Sequence, residues 1–320
     1  MQYRSLGHSG VRVSEVGLGT DQFGRRVDRQ TVHEIVAVAL EEGINFIDTA
    51  DIYGEGLSEE YLGTALEGHR NEVVLATKGR SKMGEGPNDY GASRYHLMNA
   101  LEASLRRLRT DHIDLYQIHA VDMSTPFEET MRTLDDMVRS GKVRYIGASN
   151  YQAWQLCRCN DLAERMGWVP FITIQPHYHM LEREVERELL PYCRAFDIGV
   201  LPYFPLAAGL LTGKYKPGME PPPDSRAAEN EGARRYIARY ATPENFRRIE
   251  RLSEFARQRG HTLVELAIAW LLAEPLVSSV IAGVSRVEHV RPNARASEWR
   301  LDQEELDEIR RILDGSEEGE

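Results

Sequence analysis

The stretch INFIDTADIYG, residues 44–54, drives an apolar run (Ile44, Phe46, Ile47) straight into Asp48 and sets Tyr53 five residues further on. Glu41-Glu42-Gly43 ahead of it reads as a helix end and a tight turn, so the segment is read as helix, turn and short buried strand. A carboxylate at the exit of such a strand must meet a partner or stand where its charge is used. Whether the same pattern recurs along the chain decides the fold.

It recurs eight times. Short apolar runs fall at 16–19, 45–48, 73–78, 113–119, 143–149, 171–175, 199–203 and 278–282. Amphipathic stretches with apolar residues at i, i+3, i+4 and i+7 lie between them, for example 94–108 and 126–140. Ser124 or Thr125 is expected to cap the second of these, with Pro126 in its first turn and Glu128-Glu129 favoured by the helix dipole. Strands separated by helices and buried on both faces imply parallel pairing with right-handed crossovers. Eight such units predict a closed (β/α)8 TIM barrel. A doubly wound sheet is the alternative, but no GxGxxG opens the first strand–helix turn. A hairpin (3–6 with 11–14) precedes the barrel, and no internal linker is visible, so residues 1–320 are expected to form one domain with 315–320 as a solvated acidic tail. The irregular segment is 214–236, after the seventh strand. A loop that long is usually functional or mobile, and its place favours a flap over the barrel mouth.

Composition narrows the function. With 320 residues, 42% hydrophobic and 28% charged, the chain is an ordinary soluble globular protein. Its net charge of −11 argues against a nucleic-acid partner, which would draw on a basic surface. The N-terminus MQYRSLGHSG carries no apolar signal core, and the apolar zone 263–284 is broken by Glu265, Glu274 and Pro275, so neither secretion nor a membrane partner is expected. Cys157, Cys159 and Cys193 lack a fourth ligand for zinc and are read as reduced thiols, which fits a cytoplasmic location. Trp154 and Trp168, in or beside an outer helix, are interface or packing residues, and the oligomeric state is not specified.

In a TIM barrel, chemistry gathers where the strands end. The exits here are Gly19-Thr20, Asp48, Lys78, His119, Ser149-Asn150, Gln175, Tyr203 and Gly283. Each has a bland reading: Asp48 as a turn cap, Tyr53 as packing, Lys78 as a solvated charge, His119 as a core histidine. Together, Asp48, Tyr53, Lys78 and His119 compose a proton-transfer device. A phenol ordinarily titrates near 10, and an ammonium placed against it is expected to lower that value; two units require roughly 2.7 kcal/mol of differential stabilisation. Asp48 would hold Lys78 charged, and His119 would orient a carbonyl. No metal ligands are needed.

From the N-terminal hairpin to about Leu313 the chain resembles the aldo-keto reductases, and within them the bacterial long-loop members similar to aldose or glyceraldehyde 3-phosphate reductases. The carrying segments are FIDTADIYG, LATK, DLYQIH, GKVRYIGASN, IQPHYHMLEREVERELLPYC, LPYFPLAAGLLTGKY and IAGVSRVEHVRPNARA. The resemblance implies NADP(H)-dependent reduction of an aldehyde or ketone, with NADH a less favoured cofactor. Tyr53 would be the general acid, tuned by Lys78 and Asp48, with His119 orienting the small-molecule substrate. Gly19 and Thr20 would lie against the cofactor; Ser149, Asn150 and Gln175 would bind its carboxamide, and Tyr203 would stack on its nicotinamide. Phe204, Pro205, Leu206, Gly209, Leu211 and Lys214 would embrace the pyrophosphate through backbone N–H groups and one ammonium. Gly283, Ser285, Arg286, His289 and Asn293 would take the adenosine end, with the 2′-phosphate at a helix N-terminus. The sequence departs from the family pattern at Asp21, His289 and Pro292. Phe23, Tyr53, His119 and part of the 79–91 loop are expected to line the substrate pocket, where Arg80 and Lys82 could attract an anion. Some family members act as cofactor-sensing subunits of membrane channels, an alternative the tetrad does not exclude. A metal-dependent hydrolase lacks a His/Asp ligand cluster.

Overall fold

A computed structural model of the chain describes residues 1–223, 225–229 and 231–315. The expected hairpin pairs β1 (Tyr3–Ser5) with β2 (Arg12–Ser14), antiparallel. Eight further strands follow: β3 (Val16–Gly19), β4 (Phe46–Asp48), β5 (Val74–Gly79), β6 (Ile113–Ile118), β7 (Val143–Ser149), β8 (Thr173–Gln175), β9 (Gly199–Val200) and β10 (Val280–Gly283). All pair in parallel in the spatial order β10-β3-β4-β5-β6-β7-β8-β9. The two edges meet through parallel bridges between Val200 and Val277 and between Tyr203 and Ile281, so the sheet curls round into the (β/α)8 barrel.

Register lines up the polar strand ends. Gly19 lies opposite Asp48, Lys78 opposite Gln117, and Ser149 opposite Gln175. Because side chains alternate across a strand, Leu115, Gln117 and His119 share one face, as do Ala76 and Lys78. Lower down, Phe46, Ala76, Leu115, Ile172, Leu201 and Ile281 form an apolar plug sealed by Leu6 and Val13 of the hairpin. Gly7 turns there at φ +57°, and a Cβ would stand 2.2 Å from the Ile172 carbonyl oxygen. A side chain at that turn would lift the hairpin off the barrel floor.

The helices of the outer layer are α1 (Arg29–Glu41), α2 (Leu57–Ala65), α3 (Arg94–Leu108), α4 (Phe127–Arg139), α5 (Ala153–Met166), α6 (Leu189–Ala195), α7 (Arg226–Glu229), α8 (Glu231–Tyr240), α9 (Pro243–Gln258), α10 (Leu263–Leu272), α11 (Val290–Arg295) and α12 (Gln303–Asp314). Short polar side chains start many of them: Asp28 accepts from the Thr31 amide, and Thr262 and Glu265 form a reciprocal capping box. The start of α4 differs from expectation. Pro126 itself is the capping position, while the Ser124 and Thr125 hydroxyls donate to Asp122 at 2.6 and 2.7 Å. The charged acceptor, already receiving the Ala92 amide at 2.8 Å, outcompetes the helix end for those hydroxyls.

The segment read as an irregular flap contains α7 and most of α8. Its proline run conceals an amphipathic stripe: Ile237 and Tyr240 are buried and Tyr236 half-buried, the i, i+3, i+4 spacing of a helix packed on one side. The apolar zone 263–284 is divided between α10 and β10, and among the described residues no helix is long and apolar enough to cross a membrane. Cys159 and Cys193 are buried, Cys157 is exposed, and all three are free thiols. Ser316 to Glu320, most of the expected acidic tail, lie outside the described residues.

Candidate active site

Asp48 stands at the end of β4 and Lys78 in the last turnout of β5, both buried. The Lys78 ammonium donates to Asp48 Oδ2 at 2.6 Å, to the Thr49 carbonyl at 2.8 Å and to the Tyr53 hydroxyl at 3.3 Å. Tyr53 reaches it from the turn after β4, where Gly54 and Glu55 adopt positive φ and wind the chain into a tight coil. The Tyr53 ring meets the His119 imidazole edge to face, centroids 5.8 Å apart. The four residues are therefore brought together at one end of the barrel.

Asp48 does more than neutralise Lys78. Its Oδ1 accepts from Gln117 Nε2 at 3.1 Å and from Gln175 Nε2 at 2.8 Å, so one carboxylate links β4, β5, β6 and β8. Gln117 is a site residue the sequence reading passed over. The signal was present in DLYQIH, where an inward-facing polar residue sits two before His119 in a buried strand.

Electrostatics correct one expectation. The Tyr53 phenol lies above its ordinary value, not below: burial outweighs the attraction of Lys78, and Asp48 and Asp21 add to the rise. Tyr53 is accordingly a protonated hydroxyl at neutral pH. Burial also opposes the Lys78 charge, but Asp48 and Tyr53 prevail and hold the ammonium above its ordinary range. His119 is pushed down to about 3 by burial and then by the Lys78 and Arg80 cations, so its ring is neutral. Ser81 Oγ lies 3.3 Å from His119 Nδ1.

Above the tetrad opens a cavity of about 900 Å³, within the range of small-molecule sites. Asp48, Tyr53 and His119 line it together with Gly19, Thr20, Ser149, Asn150, Gln175 and Tyr203. Phe204, Pro205, Leu206, Gly209 and Lys214 form a further part of the wall, and Gly283, Ser285, Arg286, His289 and Asn293 another. The carboxamide-binding candidates are also tied to one another: Ser149 donates to the Gln175 carbonyl at 2.9 Å, Asn150 Nδ2 to Ser149 Oγ at 3.0 Å, and Tyr203 to Asn150 Oδ1 at 2.9 Å.

One expected lining residue, Phe23, and one expected backbone contact, Leu211, are not in the cavity wall. Phe23 is fully buried in the main core, and Leu211 is fully buried against the outer helices; neither borders the cavity. Both are bulky and apolar, and each satisfies itself by turning away from the opening. The 79–91 loop contributes no lining residue either: Lys82 pairs with Glu85 at 2.7 Å, and Arg80 donates to the Val121 carbonyl at 3.3 Å. Arg25 and Arg26, not singled out from the sequence, do line the cavity, as do Asp21, Ile52 and Thr262.

The family model described as the aldo/keto reductase family matches residues 15–314. The chain belongs to the aldo-keto reductase family. Among similar proteins, the uncharacterized oxidoreductase YrpG of Bacillus subtilis (strain 168) is 40% identical over 98% of this chain and 97% of its own. A probable voltage-gated potassium channel subunit beta of Arabidopsis thaliana is 37% identical over 92% and 91%. L-glyceraldehyde 3-phosphate reductase of Escherichia coli (strain K12) is 35% identical over 92% and 87%. Aldo-keto reductases use nicotinamide cofactors, and the cavity of this aldo-keto reductase suits one: an aromatic ring at Tyr203, amide and hydroxyl groups beside it, and the cations Lys214 and Arg286 in the same wall.

One buried acid in the opening stretch was not anticipated. Asp51 is inaccessible to solvent and neither carboxyl oxygen has a hydrogen-bond partner. Burial, then the charge of Glu59, pushes it up to about 8, while the Arg107 guanidinium that pairs with Glu59 at 2.7 Å only partly offsets this. The folded protein thus holds a proton that the unfolded chain releases near 3.8. Stability should fall as pH rises from about 4 to about 8 and level off beyond. Asp51→Asn removes the titration. Urea unfolding at pH 5 to 8 should show the variant gaining on wild type steadily with pH; a constant difference would mean Asp51 is ionised in the fold.

Proposed function

We propose that the chain is an NADP(H)-dependent carbonyl reductase, converting small aldehydes or ketones to alcohols with Tyr53 as proton donor. The observation that carries the reading is the Tyr53 hydroxyl 3.3 Å from a buried ammonium and edge-on to a neutral imidazole, at the wall of the cavity. Bound reduced nicotinamide supplies the hydride; the protein supplies position and electrostatics. Tyr53, protonated at neutral pH, gives its proton to the substrate oxygen. As negative charge develops on the phenol oxygen, Lys78 stabilises it from a fixed position, a preorganised charge in a site shielded from water. Asp48 keeps Lys78 ionised throughout. His119 as the Nε2–H tautomer, with the Ser81 hydroxyl donating to Nδ1, would donate to the carbonyl oxygen. Ser149, Asn150 and Gln175 would bind the carboxamide, and Tyr203 would stack on the ring.

Arg286 is assigned to the 2′-phosphate that distinguishes NADPH from NADH, because its half-exposed guanidinium lies in the cavity wall beside Ser285. Titrations followed by reduced-nicotinamide fluorescence should show NADPH binding more tightly than NADH. Arg286→Ala should weaken NADPH about tenfold, which is about 1.4 kcal/mol, and leave NADH unchanged. An equal loss for both cofactors would remove the assignment. The channel-subunit likeness bears on a sensing role that the same tetrad could serve; measurable turnover on a panel of aldehydes separates reductase from sensor.

A further inference from the structure

Against Tyr203, and outside the residues that line the cavity, lies a polar and aromatic cluster that the chemistry above does not use. The His177 imidazole stacks on the Tyr203 ring, centroids 5.2 Å apart and planes inclined by 15°. The two residues are also joined by a parallel backbone bridge. From α8, the Tyr236 hydroxyl comes within 2.6 Å of His177 Nε2 and 2.8 Å of His179 Nε2; the two nitrogens are 3.1 Å apart.

The direction of these hydrogen bonds can be worked out. His179 Nδ1 accepts the Leu181 amide at 3.1 Å. A neutral imidazole that accepts at Nδ1 carries its proton on Nε2. Burial keeps both imidazoles below their ordinary range and hence neutral. His179 Nε2–H therefore donates to the Tyr236 oxygen, and the Tyr236 hydroxyl donates to His177 Nε2. Each group is satisfied once and the chain runs one way. The same reasoning disfavours a metal among these three atoms, since a protonated Nε2 has no lone pair to offer.

Helix α8 also packs on the turns Ala207–Thr212, of which Ala208, Gly209 and Thr212 line the cavity. Its apolar face is held by Ile237 and Tyr240, and Tyr236 meets Phe204 at 5.4 Å between centroids. The Tyr236 hydroxyl is thus a polar pin joining the segment that borders the cavity to the residue stacked behind Tyr203.

We propose that His177 and Tyr236 are positioning residues: they fasten α8 and the 207–212 turns over the cofactor cleft and brace the Tyr203 ring, and so set the rate at which cofactor leaves. The proposal rests on the dinucleotide-binding reading above. Its chemistry is the pair of hydrogen bonds that join a loop helix to the barrel, from His179 to Tyr236 and from Tyr236 to His177, enough for about a tenfold change in a release rate, which is about 1.4 kcal/mol.

Tyr236→Phe keeps the ring and removes the hydroxyl. In stopped-flow displacement of NADPH, the variant should release cofactor about tenfold faster than wild type. Its single-turnover reduction of a reactive aldehyde, with NADPH saturating, should be unchanged. His177→Ala should accelerate release at least as much, and His177→Gln, which restores an acceptor, should recover part of the loss. Tyr240→Phe, on the same helix but bonded to Glu182, should release at the wild-type rate. Release from Tyr236→Phe at the wild-type rate would overturn the proposal, as would equal acceleration in Tyr240→Phe, which would indicate general loosening of α8. Failure of wild type to bind NADPH or NADH would instead bring down the dinucleotide reading, an outcome visible before any variant is made.

Discussion

Tyr53→Phe is expected to remove most of the proposed NADPH-dependent reduction of aldehydes, by about 10²- to 10⁴-fold in kcat, while NADPH should bind as before. The size of the effect follows from what is removed. The phenylalanine ring retains the edge-to-face contact with His119, and Lys78 keeps Asp48 and the Thr49 carbonyl as acceptors. The lost atom is the one able to deliver a proton beside a fixed positive charge. Steady-state turnover and cofactor titration, run on the same preparation, check the result. Turnover near the wild-type level would reject the assignment of Tyr53, and loss of NADPH binding would show that the ring positions the cofactor.

Asp48→Asn has the largest expected effect on stability. Lys78 is inaccessible to solvent, and Asp48 is the anion facing its ammonium. Removing one member of a buried ion pair leaves an uncompensated charge and typically costs about 3–5 kcal/mol. The Asn amide would also bring two protons toward donors it now faces, the Lys78 ammonium and the Gln117 and Gln175 amides. Replacing both partners, Asp48→Asn with Lys78→Met, removes the stranded charge and should recover much of the stability without recovering turnover. Denaturant unfolding of the four proteins in the cycle should give a coupling above about 1 kcal/mol; additivity within about 0.5 kcal/mol would mean that the pair is not coupled in the fold.

Much of this architecture was legible because barrels report themselves through strand ends. A lysine or aspartate that closes a buried apolar strand has few places to point, and period-two alternation fixes its face; Asp48, Lys78 and His119 converge for that reason. Gln117 obeys the same rule and could have been read. Residues off the strands could not. Phe23 and Leu211 occupy turns whose side-chain direction no periodicity sets, and both point into core. Arg25 and Arg26 reach the cavity from a loop by the same freedom in reverse. The helices hidden in 214–236 were masked by proline, and the hydroxyls of Ser124 and Thr125 chose a carboxylate over a helix end. The direction of the Tyr53 shift was beyond reach for another reason. It is a difference between burial and a nearby charge, and sequence shows that both exist but not which is larger.

The hairpin that seals the lower end of the barrel has a bearing on traffic. With Leu6 and Val13 closing the floor, a guest reaching the tetrad comes and goes by the cavity at the opposite end of the barrel. Two guests that share one entrance cannot pass each other. Whichever lies deeper has to arrive first and depart last, so the order of events is imposed in part by a floor, Leu6 and Val13, that lines no part of the cavity.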